Sequence, residues 1–228
     1  MKRESKRTSS QNAKVLLLAF ALLLFCSFVP AQQFNAGLLA GISTSQVDGD
    51  TYAGYHKLGL YAGGFVTKKI SASGKWSASF EITYIQKGSR KTPNPDKGDP
   101  TLYILDLNYA EVPLLLKYAF TVPDSLGDNK MKFQIESGAA IGALVKSKEE
   151  NAFGPVVGVV PFEKASYSYI LGLNYFASGK AAFNIRYEYS IVPVRKGATG
   201  QYYQNWTYKI LRPGYYNNQV LLSFRYQL

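Results

Sequence analysis

Between Val220 and Leu228 the chain alternates: Val220, Leu222, Phe224, Tyr226 and Leu228 fall on one face of an extended segment, and Ser223, Arg225 and Gln227 fall on the other. An apolar face opposed by charge and amide at a period of two is what a strand needs when hydrocarbon lies outside and a polar interior lies within. The same alternation recurs upstream in at least five segments, so the whole chain is constrained toward a closed sheet in lipid.

The other end has a different character. Residues 1–31 carry Lys2, Arg3, Lys6, Arg7 and Lys14, then the apolar run Val15 to Val29, then Pro30 and Ala31. This is the three-part layout of a secretory signal peptide, with cleavage expected after Ala31. As a helix the apolar run spans about 22 Å, short of the roughly 30 Å hydrocarbon thickness, which disfavours a retained anchor. Cys26 follows Phe25, where lipoprotein processing requires a small residue, so lipidation is not expected. The mature domain, 32–228, then has no cysteine for disulfides or thiolate metal sites. Loss of five basic residues and Glu4 lowers the formal charge from +11 to +7. A basic excess suits nucleic acid, but an exported chain seldom meets it. Solvated loops beside anionic headgroups or lipopolysaccharide phosphates are the expected neighbours, and no nucleic acid is.

Eight strands emerge once turn residues are used as boundaries. From Trp76 to Lys87 the even positions Trp76, Ala78, Phe80, Ile82 and Tyr84 are apolar and the odd ones mostly polar. From Met131 to Lys146 the outward set is Met131, Phe133, Ile135, Ala139, Ile141 and Val145, with Lys132, Gln134, Glu136 and Lys146 opposite. Tyr167 to Tyr175 and Phe183 to Ile191 follow the same rule across the turn Ser178 to Lys180. Phe34 to Ser43 and the glycine-rich Lys57 to Lys69 are further strands. Tyr103 to Phe120 is long, and its apolar parity switches near Ala110, from Tyr103, Leu105, Leu107 and Tyr109 to Val112, Leu114, Leu116 and Tyr118. A β-bulge there is predicted, with Pro113 at the bulge or at an inward unpaired position. Connections after strands two, four and six are read at Ser71 to Lys75, Thr121 to Lys130 and Ser178 to Lys180, and those after one, three, five and seven at Gln46 to Tyr55, Gly88 to Thr101, Ser147 to Lys164 and Arg195 to Asn217. The expectation is an all-β fold: an eight-stranded antiparallel up-and-down transmembrane β-barrel, with short periplasmic turns, long extracellular loops and both termini periplasmic.

Two stretches, Glu81-Ile-Thr-Tyr-Ile-Gln-Lys-Gly88 and Tyr109-Ala-Glu-Val-Pro-Leu-Leu-Leu-Lys-Tyr118, resemble the PorT-like outer-membrane β-barrel family common in Bacteroidetes. The likeness extends over nearly the whole mature chain, including the glycine-rich second strand and Arg186-Tyr187 before the last long loop. It implies an eight-stranded barrel in the outer membrane, and the family's named member is linked to type IX secretion and gliding. The matching residues are architectural, so that role does not transfer with them.

The parities put Glu81, Glu111, Glu136 and Glu188 inside with Lys117, Lys132, Arg186 and Arg225. Unpaired, each would cost several kcal/mol in a narrow low-dielectric interior, so mutual pairing is expected, helped by Gln134, Asn174, Asn184 and Gln227. Eight strands leave room for side chains and little else, which predicts a plugged lumen. The alternatives are a small pore or ligand-binding barrel and an outer-membrane enzyme. Against the enzyme, the only histidine, His56, opens strand two at the rim, and no metal cluster, nucleophile elbow or phosphate loop is present; no catalytic residue and no cofactor are nominated. The last loop, Arg195 to Asn217, interleaves Tyr202, Tyr203, Trp206 and Tyr208 with Arg195 and Arg212. Such mixtures serve equally as a partner-binding surface, for envelope or secretion-machinery proteins, and as an interfacial girdle against lipopolysaccharide phosphates. A monomer is expected.

Overall fold

The computed structural model describes residues 34–52, 54–120, 133–157, 159–197 and 214–228. Residues 1–31, read as a signal peptide, lie outside them. The strands are β1 (Phe34–Asp48), β2 (Lys57–Lys69), β3 (Trp76–Lys91), β4 (Tyr103–Phe120), β5 (Phe133–Asn151), β6 (Gly154–Pro155), β7 (Ala165–Phe176), β8 (Ala181–Ser190), β9 (Arg195–Lys196) and β10 (Gly214–Gln227). Eight are long. The two-residue β6 and β9 pair only with β5 and β10. Neighbouring long strands are antiparallel in chain order, and β10 pairs back onto β1 from Gly37–Gln227 to Asp48–Tyr216, closing the ring.

Residue partners traced around the ring run from Asn35 through Thr67, Ser79, Leu115, Gly138, Ile170, Glu188 and Gln219, and return to β1 at Ser45. The return is ten residues beyond the start, a stagger that tilts eight strands by about 40° to the axis. Most residues on this path face inward. Outside, Leu38, Ile42, Leu58, Leu60, Ile82, Leu114, Ile141, Leu171, Ile185 and Leu222 form an exposed apolar band. Leu60 is 62% exposed and Ile82 60%, an openness that only hydrocarbon makes favourable around a whole molecule. Aromatic rings edge the band. Trp76–Tyr118, Phe120–Phe133, Phe133–Tyr175 and Phe183–Phe224 touch at centroid separations of 4.8, 5.8, 5.2 and 5.6 Å toward the short-turn end. Tyr84, Tyr167, Tyr169 and Tyr187 lie toward the other end.

Two expectations about parity are corrected. In β4 the odd positions stay inside throughout, so Tyr103, Leu105, Leu107 and Tyr109 are buried in the lumen and do not face lipid. The parity switch belongs to β5. Asn108 pairs with Lys146 and Tyr109 with Leu144, which leaves Val145 as the extra residue. Beyond it Lys146 and Lys148 turn outward, and Glu149 inward beside Leu105. An apolar interior at this end hides the true phase of β4 from a rule that equates apolar with outside. Pro113 faces inward, and the β3–β4 ladder is interrupted opposite it, between Phe80–Leu114 and Thr83–Glu111. Several strands are longer than expected, notably β1 to Asp48, β3 to Lys91 and β5 to Asn151. The last strand starts at Gly214, where the sequence suggests loop as far as Asn217.

Gly88 has φ of 139°, and a Cβ there would overlap the Leu105 carbonyl oxygen of the adjacent strand. Gly179, in the turn after β7, has open space for 4 Å around the point where a Cβ would stand. Gly88→Val is expected to destabilise the barrel by roughly 2 kcal/mol or more, and Gly179→Ala to be neutral. Urea midpoints of the refolded protein, read by heat-modifiable gel mobility, check the pair.

Candidate functional site: lumen and rim

The inward positions build two ionic layers. In the one nearer the short turns, Arg186 on β8 reaches across to β3, donating from Nη1 and Nη2 to the two Glu81 oxygens at 2.8 and 2.9 Å. Its Nε donates to Glu136 on β5, and Nη1 also donates to the Tyr61 hydroxyl at 2.6 Å. Arg225 Nη2 adds a 2.7 Å bond to Glu81. Lys117 Nζ lies 3.5 Å from Glu81 and 3.3 Å from Glu136. The amides of Asn174 and Asn184 each donate to Glu136 at 2.9 Å. A glycine makes this crossing sterically feasible: a Cβ on Gly172 would stand 2.7 Å from Glu136 Oε1 and 2.9 Å from Arg186 Cγ. Below, the Phe65 ring centre lies 4.2 Å from the Arg225 guanidinium carbon, a cation–π floor to the layer.

The second layer is nearer the long loops. Lys87 Nζ bonds Glu111 at 2.5 Å and Glu188 at 2.7 Å and sits 5.3 Å from the Tyr109 ring centre. Two carboxylates and one ammonium leave an excess of one negative charge, and the first layer, with two carboxylates and three cations, leaves one positive. The four acids and four bases therefore balance. All eight expose 4% or less. Above the ions Val47, Leu105 and Leu107 close the lumen, as part of an apolar cluster that continues down beside the ionic layers through Ile85, Leu221 and Leu39, the last opposite Arg225 in the β1–β10 ladder.

Of the eight inward charges expected from the sequence, the structure brings seven together: Glu81, Glu111, Lys117, Glu136, Arg186, Glu188 and Arg225. Lys132 lies outside the described residues. Lys87 supplies the fourth cation. It is a residue that the inward set misses, although it stands on the polar parity of β3 and its signal is therefore present. Tyr61 is obscured by the glycines that blur β2.

At the rim, Arg195 corrects another expectation. It is not an exposed loop residue; it is 6% exposed, doubly bonded to the Glu149 carboxylate, and 3.7 Å from the Phe162 ring centre. Glu149 also accepts from the Tyr103 hydroxyl at 2.8 Å. No sequence signal marks this pair, because the Val145 bulge reverses the parity that would show Glu149 inside. Tyr202, Tyr203, Trp206, Tyr208 and Arg212 lie outside the described residues. Among the described residues no group of three or more His, Cys, Asp or Glu is placed to hold a metal ion.

These features define a class: a closed transmembrane β-barrel with a lipid-facing apolar band and an ion-filled lumen. The sequence profile of the family described as "Outer membrane protein beta-barrel domain" matches residues 30–195, and the chain belongs to that family. It is an integral β-barrel protein of the bacterial outer membrane. No curated protein matches significantly. Among solved structures the chain is similar to Ail, the attachment invasion locus protein of Yersinia pestis, in complex with the heparin analogue sucrose octasulfate: 15% identity, 86% of this chain and 99% of that one, TM-score 0.46. Neisserial surface protein A gives 11% identity over 86% and 97% at a TM-score of 0.45. OprG of Pseudomonas aeruginosa gives 12% over 86% and 97% at 0.38.

The buried charges set measurable stabilities. Arg186→Met strands Glu81 and Glu136 without their main counter-charge and is expected to destabilise by roughly 3–5 kcal/mol. Lys87→Met does the same to Glu111 and Glu188, and reversible urea unfolding in vesicles measures both. Asp50, half-buried in the connection after β1, has its carboxyl raised from 3.8 to about 6, chiefly by burial, against the Tyr52 N–H that it accepts from at 2.9 Å. The folded state therefore holds this proton more tightly than the unfolded chain. The cost of its ionisation is absent below about pH 4, develops between 4 and 6, and is complete above. Asp50→Asn should stabilise by about 1–2 kcal/mol at pH 8 and by nothing measurable at pH 4; midpoints at the two pH values test this.

Proposed function

We propose that the protein is an insulating, non-enzymatic barrel that holds a binding surface at the long-loop end in the outer membrane. In this reading the short turns and both termini are periplasmic, residues 1–31 are removed on export, and the protein acts as a monomer. The observation that carries it is the filled cross-section: two ionic layers and an apolar cluster occupy the lumen from Phe65 to Leu105, and every carboxylate in the two layers is engaged by a cation. A conduction path would require breaking several buried ion pairs at once, and a carboxylate held this way is poorly suited to proton transfer.

The PorT-like stretches Glu81 to Gly88 and Tyr109 to Tyr118 are architectural and carry no role themselves; with the lumen filled, the long-loop rim is the surface left for a task in secretion or surface attachment, with envelope or secretion-machinery proteins as partners and lipopolysaccharide as the surrounding lipid. The rim carries that task. Deleting 197–213 is expected to abolish partner crosslinking in the native membrane and leave barrel assembly intact.

Planar-bilayer recording tests the insulating lumen. The reconstituted protein is expected to give no stepwise conductance, and Arg186→Met, if it folds, only sporadic openings. Steady unitary currents from the unaltered protein contradict the reading in favour of a small pore.

A further inference from the structure

The ladder between β5 and β7 ends at Ala143–Ala165, whereas β5 runs on to Asn151 with only β6 against its last two residues on that side. Residues 156, 157 and 159–164 occupy part of the gap. They are tied by the Leu144 N–H to the Lys164 carbonyl at 2.8 Å and by the Val156 N–H to the Glu149 carbonyl at 3.0 Å. Between these residues and the bare upper part of β5 is a cleft of about 600 Å³. Its apolar wall is Val145, Val159, Pro161 and Phe162; its polar wall carries Lys146, Lys148, Lys164 and the Arg195–Glu149 pair.

The charges do not cancel. Arg195 is matched by Glu149, and Lys148 by Glu150 at 2.8 Å. Lys146 and Lys164 have no ion-pair partner among the described residues, yet the backbone bond at Leu144 and the outward turn at the bulge bring both to one cleft. Two like charges gathered where the one lining carboxylate, Glu149, is already taken by Arg195 favour an anion between them. The apolar side indicates what else that anion carries. Val145, 63% exposed, is continuous along β5 with Ile141, 59% exposed, in the band that faces hydrocarbon. A ligand lodged here can keep an acyl chain on that strip while its head meets the lysines.

We propose that this cleft is a headgroup site for a phosphorylated amphiphile of the leaflet on the long-loop side. Lysine suits it as a compact charge for phosphate, and the cleft lies just beyond the ring of Tyr167 and Tyr169, at headgroup height. The inference rests on the reading that the long-loop rim is the working surface. It is independent of whether the lumen conducts.

The test uses the full mature chain in phosphatidylcholine nanodiscs, titrated with dihexanoyl phosphatidic acid, dihexanoyl phosphatidylcholine, inorganic phosphate and sucrose octasulfate, with binding followed by amide NMR shifts. Phosphatidic acid is expected to bind best and to perturb residues 144–148 and 159–164. Lys146→Gln with Lys164→Gln should weaken it about tenfold or more. Lys69→Gln with Lys75→Gln, exposed at the opposite end, should leave it unchanged. The proposal is overturned if the cleft pair binds like the unaltered protein. Equal binding of inorganic phosphate or phosphatidylcholine overturns it too, as does a preference for the soluble polysulfate. An insulating barrel that fails here refutes this inference alone, and a conducting barrel that passes refutes only the reading of the lumen.

Discussion

Arg186 is the side chain on which the interior turns. Its guanidinium touches three other strands at once, through Glu81 on β3, Glu136 on β5 and Tyr61 on β2, from a position 1% exposed. In a cylinder whose outer surface faces hydrocarbon, burying that surface does not draw the strands together as it does in a soluble domain. Cohesion comes from the closed backbone ladder and from contacts across the lumen. A guanidinium supplies those contacts in a fixed planar fork, which an ammonium cannot. The same group would be among the costliest to bury alone, so each partner has to be in place for the fold to tolerate it.

Layering solves the accompanying problem of charge. A surplus positive charge among Glu81, Glu136, Lys117, Arg186 and Arg225 faces a surplus negative one at Glu111, Lys87 and Glu188, with Arg186 and Glu188 two residues apart on the same strand face. Small inward residues give the long side chains their room: Gly172 beside the Arg186–Glu136 contact, Gly142 beside Glu111. Toward the long loops, where the chain emerges from the band, the filling changes from ions to Val47, Leu105 and Leu107. An ordinary hydrophobic seal there keeps water off the ionic layers. It joins directly to a rim held by Arg195, Glu149 and Tyr103.

Much of this is legible in the sequence because lipid outside and ions inside impose opposite demands on alternate residues. The barrel, its eight long strands and seven inward charges follow from parity alone, the strongest being Glu81, Arg186 and Arg225, each flanked by apolar neighbours. Parity fails where both faces are apolar. Tyr103 to Tyr109 read as lipid-facing because leucine and tyrosine serve a seal as well as a membrane, and the bulge at Val145 carries no residue signature in a run that alternates smoothly up to it. The rim pair of Arg195 and Glu149, 46 residues apart, depends on that bulge and is unreadable without it. Lys87 is the instructive case, since its odd position in β3, on the same parity as Glu81, is plain in the sequence and already places it on the inward face.

One strand, β4, carries both the ions and the seal, so the way it faces decides whether the lumen is filled as described. Nitroxide labels at single cysteines from Tyr103 to Phe120, scored by collision with oxygen and with a water-soluble nickel chelate, read that orientation residue by residue. The predicted result is one unbroken alternation, with even positions accessible and Tyr103, Leu105, Leu107, Tyr109, Leu115 and Ala119 protected. A reversal of phase near Ala110, with Leu105 and Leu107 open to oxygen, would contradict it.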